Sequence, residues 1–300
     1  MAIEISVVVP TRNRRGLLER CLSSLSKQAF RKDKFEVIVA DNGSADGTAD
    51  MVKELAGKTG YVIKYVNEPA RGASKARNAG IQAASGQFIA FIDDDAYADE
   101  NWLDEIMGWL NAGEMDVGGR IVKNAEIASV SGRVAIGNPE STIAWYSEKS
   151  PYPIFGLEQS EKPYIGPKTG HPTCNTAYRR SVLDEIGFFD ESMSIYGEDD
   201  DLGMRASKKG YLHLYNPKAL VYHNHPSNVM ELAGRWFRMA ANQPVHRGGY
   251  YMRSALVDCN PLRVPSRRFL LEYWHLIPVD IIVRTALAAG LLKSFLFGKK

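Results

Sequence analysis

Two acidic runs and a pair of histidines hold most of the reactive chemistry in this 300-residue chain. The first run is Asp93-Asp94-Asp95, which follows the apolar stretch QFIAFI. Successive strand residues face opposite ways, so Asp93 and Asp95 share a side and Asp94 points elsewhere unless the strand has ended. Two hard carboxylates on one side suit Mg²⁺ or Mn²⁺. The plainer reading is an acidic, solvated turn. A core strand that runs into three acids is locally costly, and that favours a cation.

The second run, Glu198-Asp199-Asp200-Asp201, precedes a helical pattern. Carboxylates at a helix N-terminus cap free N–H groups and suit the dipole, which accounts for one or two of them. Four exceed that need. One can serve as a general base whose proton affinity is raised by its acidic neighbours. His223 and His225, two apart in VYHNH, fall on one strand face, and either can complete a metal site. An ordinary surface or core histidine is the competing reading. Arg71 and Arg77, with Arg12 and Arg14 behind them, are candidates to offset a diphosphate. Taken singly, each also reads as a solvated surface arginine. The chain has no P-loop and no G-x-G-x-x-G, and no basic–aromatic interleaving that would argue for nucleic acid.

These groups need elements to position them. ISVVVPT (5–11) and FEVIVAD (35–41) read as strands buried on both faces. Leu17, Leu18, Cys21, Leu22 and Leu25 mark a helix over about 14–28. NGSADGT (42–48) is a turn cluster, followed by a helix through Met51, Val52 and Leu55. YVIKYVNE (61–68) alternates as a third strand, SKARNAGIQAA (74–84) is a small-residue helix, QFIAFIDDD (87–95) a fourth strand, and residues 100–111 a helix. Alternation of this kind implies a parallel sheet with right-handed crossovers. Ligands then bind beyond the carboxyl ends of the strands, so Asp41 and Asp93–Asp95 should share one rim. Residues 124–170 look less regular and could hold a loop that shapes a substrate pocket. Residues 179–191 read as a short helix and turn, 197–210 as a helix, and 211–225 as one or two short strands.

Composition is that of a globular protein, 45% hydrophobic and 24% charged, which excludes disordered and fibrous classes. The net charge of +2 conceals an asymmetry. Between Glu231 and Lys300 there are eleven Lys/Arg and four Asp/Glu, a charge of +7, so the first 230 residues carry −5. Cys21, Cys174 and Cys259 show no metal-ligand spacing and cannot all pair, which suits a reducing compartment and a cytoplasmic location. The N-terminus reads as a first strand, not as a signal peptide. The tail 276–300 is apolar but carries Asp280, Arg284 and Lys293. An interfacial helix, with Lys299 and Lys300 near anionic head groups, fits it better than a membrane span; a helix packed on the domain is the alternative.

In this order, VVVPTRNR, VIVADNGSADGT, RGASKARNAGIQAASGQFIAFIDDDAYAD, TCNTAYRRSVLDEIGFFDE, GEDDDLGMRASKKGY and ALVYHNH resemble the family 2 glycosyltransferases of the GT-A fold over roughly residues 3–225. The resemblance implies an α/β fold with a central, mostly parallel sheet flanked by helices. It implies a catalytic domain over 1–225, divided into a nucleotide-binding half (1–118) and an acceptor-side half (119–225), with a helical extension over 226–300. Pro10, Thr11 and Arg12 should line the nucleotide pocket, Asp41 should meet the base, and Asn42 stands where the family often has a second aspartate. Asp93 should approach the ribose or sugar, with Asp94 beside it. Asp95 should ligate Mn²⁺ or Mg²⁺ together with His223, for which His225 is the rival. Asp199, with Glu198 beside it, should be the base, and Asp200 competes for that role. Asn175 and Arg179 fall in the acceptor-side segment.

The activity implied is metal-dependent transfer, with inversion, from a UDP-, GDP- or dTDP-sugar to the hydroxyl of a glycan or lipid-linked acceptor. A role in cell-envelope or surface glycan synthesis, at the inner face of the membrane, would suit the basic tail. Two other classes compete. A sugar-phosphate nucleotidyltransferase would need a glycine-rich phosphate loop, which VVVPTRNRRG lacks. A non-catalytic membrane-surface protein would not need the intact acids.

Overall fold

The computed structural model describes residues 2–149, 160–193, 197–241 and 276–297. In chain order the elements are β1 (Ile5–Thr11), α1 (Arg15–Ser26), β2 (Phe35–Asp41), α2 (Thr48–Leu55), β3 (Val62–Asn67), α3 (Ala73–Ala83), β4 (Phe88–Phe91), β5 (Ala96–Ala98), α4 (Trp102–Asn111), β6 (Glu114–Val117), β7 (Arg120–Lys123), β8 (Ile127–Ile136), α5 (Thr142–Lys149), β9 (Tyr164–Ile165), β10 (Thr176–Arg179), α6 (Arg180–Ile186), α7 (Glu198–Lys208), β11 (Leu212–His223), α8 (Val229–Ala241) and α9 (Ile277–Phe297). They fall into two compact units. One is Met1–Gly137 with Gly156–His223; the other is Asn138–Phe155 with Asn224–Lys300.

The first unit is built on a nine-stranded sheet ordered β3-β2-β1-β4-β10-β8-β11-β5, with β9 also paired to β11. Strands β1, β2, β3, β4, β8 and β11 run one way, while β5, β9 and β10 run against them. The unidirectional majority follows from the helical crossovers, which carry the chain back before each new strand. The Val/Ile-rich strands β1 and β2 are covered on both faces because helices pack on each. Leu18, Leu22, Met51, Trp102 and Ile106 from α1, α2 and α4 cover one face. Ala76, Ile81, Leu183 and Leu202 from α3, α6 and α7 cover the other. Gly80 lets α3 approach β1 so closely that a Cβ there would meet the Val8 side chain, which is what its run of small residues foreshadowed.

Three expectations change. The fourth strand stops at Phe91, so the three aspartates lie in a turn and not on a pleated strand. The stretch expected to be irregular contains β8, a ten-residue strand in the middle of the sheet. Its serines and glycine obscure it in sequence: Ser129 and Ser131 are buried, with their hydroxyls bonded to His213 and Thr176. Within 211–225, Leu212–His223 form one twelve-residue strand, β11, with register shifts at Leu212/His213 and Asn216/Val221 that hide its alternation.

In the second unit, α8 and α9 pack through Leu232, Trp236, Ala240, Val283 and Leu287. Asp280 and Arg284, the charges that argued against a span, are buried and pair with each other at 2.7 Å. The Tyr146 hydroxyl donates to Asp280 Oδ1 at 2.8 Å. Among the described residues, no helix is long and apolar enough to cross a membrane. Cys259, Lys299 and Lys300 lie outside the described residues, as does the part of the expected pocket loop over 150–159.

Candidate active site

Sheet topology brings the carboxyl ends of β1, β2, β4, β8 and β11 to one rim, and most of the candidate residues collect there. After β4, the Ile92 N–H still donates to the Val8 carbonyl, and the Ala96 N–H donates to the Asp93 carbonyl, closing the acidic turn. The short strand β5 then pairs with β11 so that His223 lies opposite Ala96. The register alone therefore sets His223 beside Asp95. His223 Nε2 is 3.2 Å from Asp95 Oδ1 and 3.5 Å from Asp93 Oδ2. Asp93, Asp95 and His223 form the group of potential ligands found among the described residues, with one atom from each lying within 4.8 Å of the others. Two carboxylate oxygens and an imidazole nitrogen make a donor set that fits Mn²⁺ or Mg²⁺. His225 belongs to the other compact unit; its backbone N–H donates to Asn138 Oδ1.

Asp94 reaches towards the end of β1. It accepts from the Thr11 hydroxyl at 2.8 Å and from Arg14 Nη1 at 3.0 Å. Burial pushes its carboxyl up to about 6, against the pull of Arg14. The same Arg14 nitrogen donates to Asp95 Oδ2 at 3.1 Å.

The second acidic run opens α7 behind the left-handed Gly197, and no side chain caps the helix. Each acid does something different. Glu198 accepts from Arg77 Nη1 at 2.9 Å, and Arg77 Nη2 reaches Asp93 at 3.5 Å. Arg77 is buried over the Phe189 ring, so one guanidinium joins the two acidic runs. Asp199 accepts from the Thr173 N–H at 3.1 Å and from the Thr173 hydroxyl at 3.0 Å. Gly203 makes that contact possible, because a Cβ there would collide with the backbone of Thr169 and Gly170, which lead into Thr173. Asp201 pairs with Arg205 at 2.9 Å, and Arg205 in turn donates to the carbonyls of Ile186, Gly187 and Phe188. Burial and the neighbouring Asp199 push the Glu198 carboxyl up to about 7, while Arg77 opposes them. Burial also raises Asp199, against Arg77 and its bonds from Thr173.

The remaining candidates divide. Pro10 and Thr11 end β1, with Thr11 in register with Asp41 at the end of β2. Asp41 is buried and accepts from the Tyr65 hydroxyl at 2.6 Å and the Ser44 N–H at 2.9 Å. Arg12 is half-buried and Arg71 exposed, and neither forms an ion pair among the described residues. Asn42 braces the following loop. It donates to the carbonyls of Glu68 and Ala70 and accepts from the Gly72 N–H.

Asn175 is likewise buried in structural bonds, to Trp102 Nε1, the Arg133 carbonyl and the Ala219 carbonyl. Arg179 lies in register with Phe88, at the end of β4 opposite the acids. There it donates to the Ile127 and Leu110 carbonyls and to Asn124. Its placement in the motif suggested the acceptor side, but an antiparallel β10 carries it to the far rim. Thr173 and Tyr65 escaped sequence reasoning. A threonine in a loop gives no signal, whereas Tyr65 could have been found from its place two residues before the end of β3, beside β2.

The profile of glycosyl transferase family 2 matches residues 6–187. The chain belongs to that family. A second profile, glycosyl transferase family group 2, matches residues 161–297. Among family relatives, the glycosyltransferase AglE of Haloferax volcanii is 27% identical over 208 residues, which are 69% of this chain and 62% of that protein. The pre-mycofactocin glycosyltransferase of Mycobacterium tuberculosis is 28% identical over 235 residues, 77% of this chain and 45% of that protein. The matched stretch thus spans less than two thirds of either relative. The mannosyltransferase PcManGT from Pyrobaculum calidifontis, solved with GDP-Man and Mn²⁺, superposes with a TM-score of 0.60 at 18% identity, covering 100% of this chain and 77% of that one. Residues 1–349 of Staphylococcus aureus TarS, solved with UDP-GlcNAc, give 0.57 at 19% identity, covering 99% and 93%. At these identities the likeness establishes the GT-A fold.

Proposed function

We propose that this chain is an inverting glycosyltransferase that moves a sugar from a nucleotide-diphospho-sugar to an acceptor hydroxyl. One observation carries the reading: at one rim, Arg77 joins a trio of potential cation ligands to a pair of acids whose proton affinities are raised. Thr11 and Asp41 line the nucleotide side, with Asp41 meeting the base and Asp94 beside the ribose or sugar. Asp93, Asp95 and His223 hold Mn²⁺ or Mg²⁺, which when bound offsets charge on the diphosphate leaving group. Asp199, oriented by Thr173, takes the proton from the acceptor hydroxyl. The hydroxyl oxygen bonds to the anomeric carbon as the bond from that carbon to the diphosphate oxygen breaks, which inverts the centre.

Glu198 and Arg77 set the charge around Asp199. The GDP-Man and UDP-GlcNAc complexes of the structural neighbours support a nucleotide-sugar donor. A glycan or lipid-linked acceptor of the cell envelope, with the protein peripheral on the inner membrane face, suits α9, whose Ile281, Ile282 and Leu292 are exposed.

The test is a thermal-shift screen of UDP-, GDP- and dTDP-sugars with Mn²⁺, since a ligand that binds only the folded state raises Tm. The donor that scores is then given to a panel of glycan and lipid-linked acceptors, and the anomeric configuration of the product is read by NMR. Retention of configuration, or no response to any donor, would overturn the proposal.

A further inference from the structure

The acid cluster already holds a cation of its own. Arg14 Nη1 bridges Asp94 Oδ1 at 3.0 Å and Asp95 Oδ2 at 3.1 Å, while Asp95 Oδ1 faces His223. The Arg14 side chain is 48% exposed, whereas those of Asp94 and Asp95 are 5% and 10% exposed. Arg14 therefore reaches in from solvent to two nearly buried carboxylates.

Its position is built. Asn13 takes a left-handed conformation, φ 51°, the one non-glycine residue with positive φ among those described. The Asn13 N–H donates to the Ser44 hydroxyl, and its Oδ1 accepts from the Ala45 N–H, both at 2.8 Å. The Arg15 N–H donates to Asp46 at 2.9 Å. The 42–48 loop thus grips the residues on both sides of Arg14 and fixes the turn that aims it at the acids.

We propose that Arg14 is an internal counter-cation that makes divalent-cation binding conditional on the nucleotide diphosphate. A guanidinium in contact with Asp95 repels a second positive charge brought to the same carboxylate. It holds the acid run partly neutral while the donor is absent. Only one Arg14 nitrogen is engaged by the acids, and its other N–H donors are suited to phosphate oxygens. An arriving diphosphate gives Arg14 a new anionic partner, and its hold on Asp95 loosens. Cation and nucleotide then bind cooperatively, and each tightens the other by the same factor. This rests on the metal-dependent reading above and adds to it a residue that enforces the order of assembly.

The test follows free Mn²⁺ by EPR during titration of the full chain, alone and with saturating UDP, GDP or dTDP. Wild type should bind Mn²⁺ weakly alone and more tightly with the nucleotide. Arg14→Gln should bind Mn²⁺ alone about tenfold more tightly, a typical size for coupling between two ligands, and gain correspondingly less from nucleotide. Arg14→Lys, which keeps the charge, should follow wild type, and circular dichroism should show all variants folded. Arg14→Gln binding Mn²⁺ no more tightly than wild type would overturn the inference, and weaker binding would make Arg14 a positioning residue for Asp95. Asp95→Asn separates the two levels. If it binds Mn²⁺ as wild type does, or wild type binds none under any condition, the metal reading itself fails.

Discussion

The two acidic runs look alike in sequence and differ in what surrounds them. In Asp93–Asp95 partners are shared within the run: one arginine nitrogen serves two aspartates, and an imidazole lies against two carboxylate oxygens. That arrangement concentrates negative charge where a small cation can collect it. In Glu198–Asp201 each of three acids has a different partner within the run: Glu198 has Arg77, which also reaches Asp93, Asp199 has Thr173, and Asp201 has Arg205. Burial raises the proton affinity of Glu198 and Asp199 against the pull of those partners, and the Asp201–Arg205 pair anchors the helix. Acid content alone does not separate the two runs; the sharing of partners within each does.

The sharpest way to break this contrast is to change the proposed base without changing its shape. Asp199→Asn should lower kcat by about 10³-fold, with donor and Mn²⁺ affinity retained by calorimetry. Turnover near that of wild type would move the role to another acid of the run.

A smaller effect should follow from Glu198→Gln. If Asp199 is the base it must be deprotonated, so the wild-type rate should climb with pH at values above the ordinary carboxylate range, because burial raises the Asp199 carboxyl. Removing a carboxyl beside Asp199 eases its ionisation, so the acid limb of the pH–rate profile should move to lower pH. A limb that stays in place would uncouple the two residues.

The smallest kinetic effect should come from Arg179→Ala, at the far rim. Loss of its bonds to Ile127, Leu110 and Asn124 should cost about 2 kcal/mol of stability. Nucleotide and Mn²⁺ affinity should be unchanged, and a loss of donor binding at unchanged Tm would place Arg179 in the site after all.

Legibility followed the length over which a residue's environment is decided. The first half of the sheet was readable because each of its strands is buried by neighbours close in sequence, so β-branched runs, turn clusters and helical spacing agree. Boundaries for β2 and the placement of α1, α3 and α4 emerged almost unchanged. The second half was not, because β8 and β11 bury serines and a histidine whose partners lie 45 and 84 residues away. Arg77 and Asn78 show the same limit. In sequence they are a polar pair inside a small-residue helix; folded, Arg77 holds Glu198 and Asn78 holds the backbone of Phe189.

The sequence by itself determined the alternating α/β plan, the family resemblance, and the presence of acids and a histidine at strand and helix ends. These follow from periodicity and residue type, which are local properties. Only the tertiary structure decided which of them act together. His223 meets Asp95 because β5 pairs antiparallel with β11; Asp199 meets Thr173 because Gly203 admits a backbone; Arg179 leaves the site because β10 runs against its neighbours. Strand direction, register and close approach depend on the whole sheet, and no single stretch of the chain encodes them.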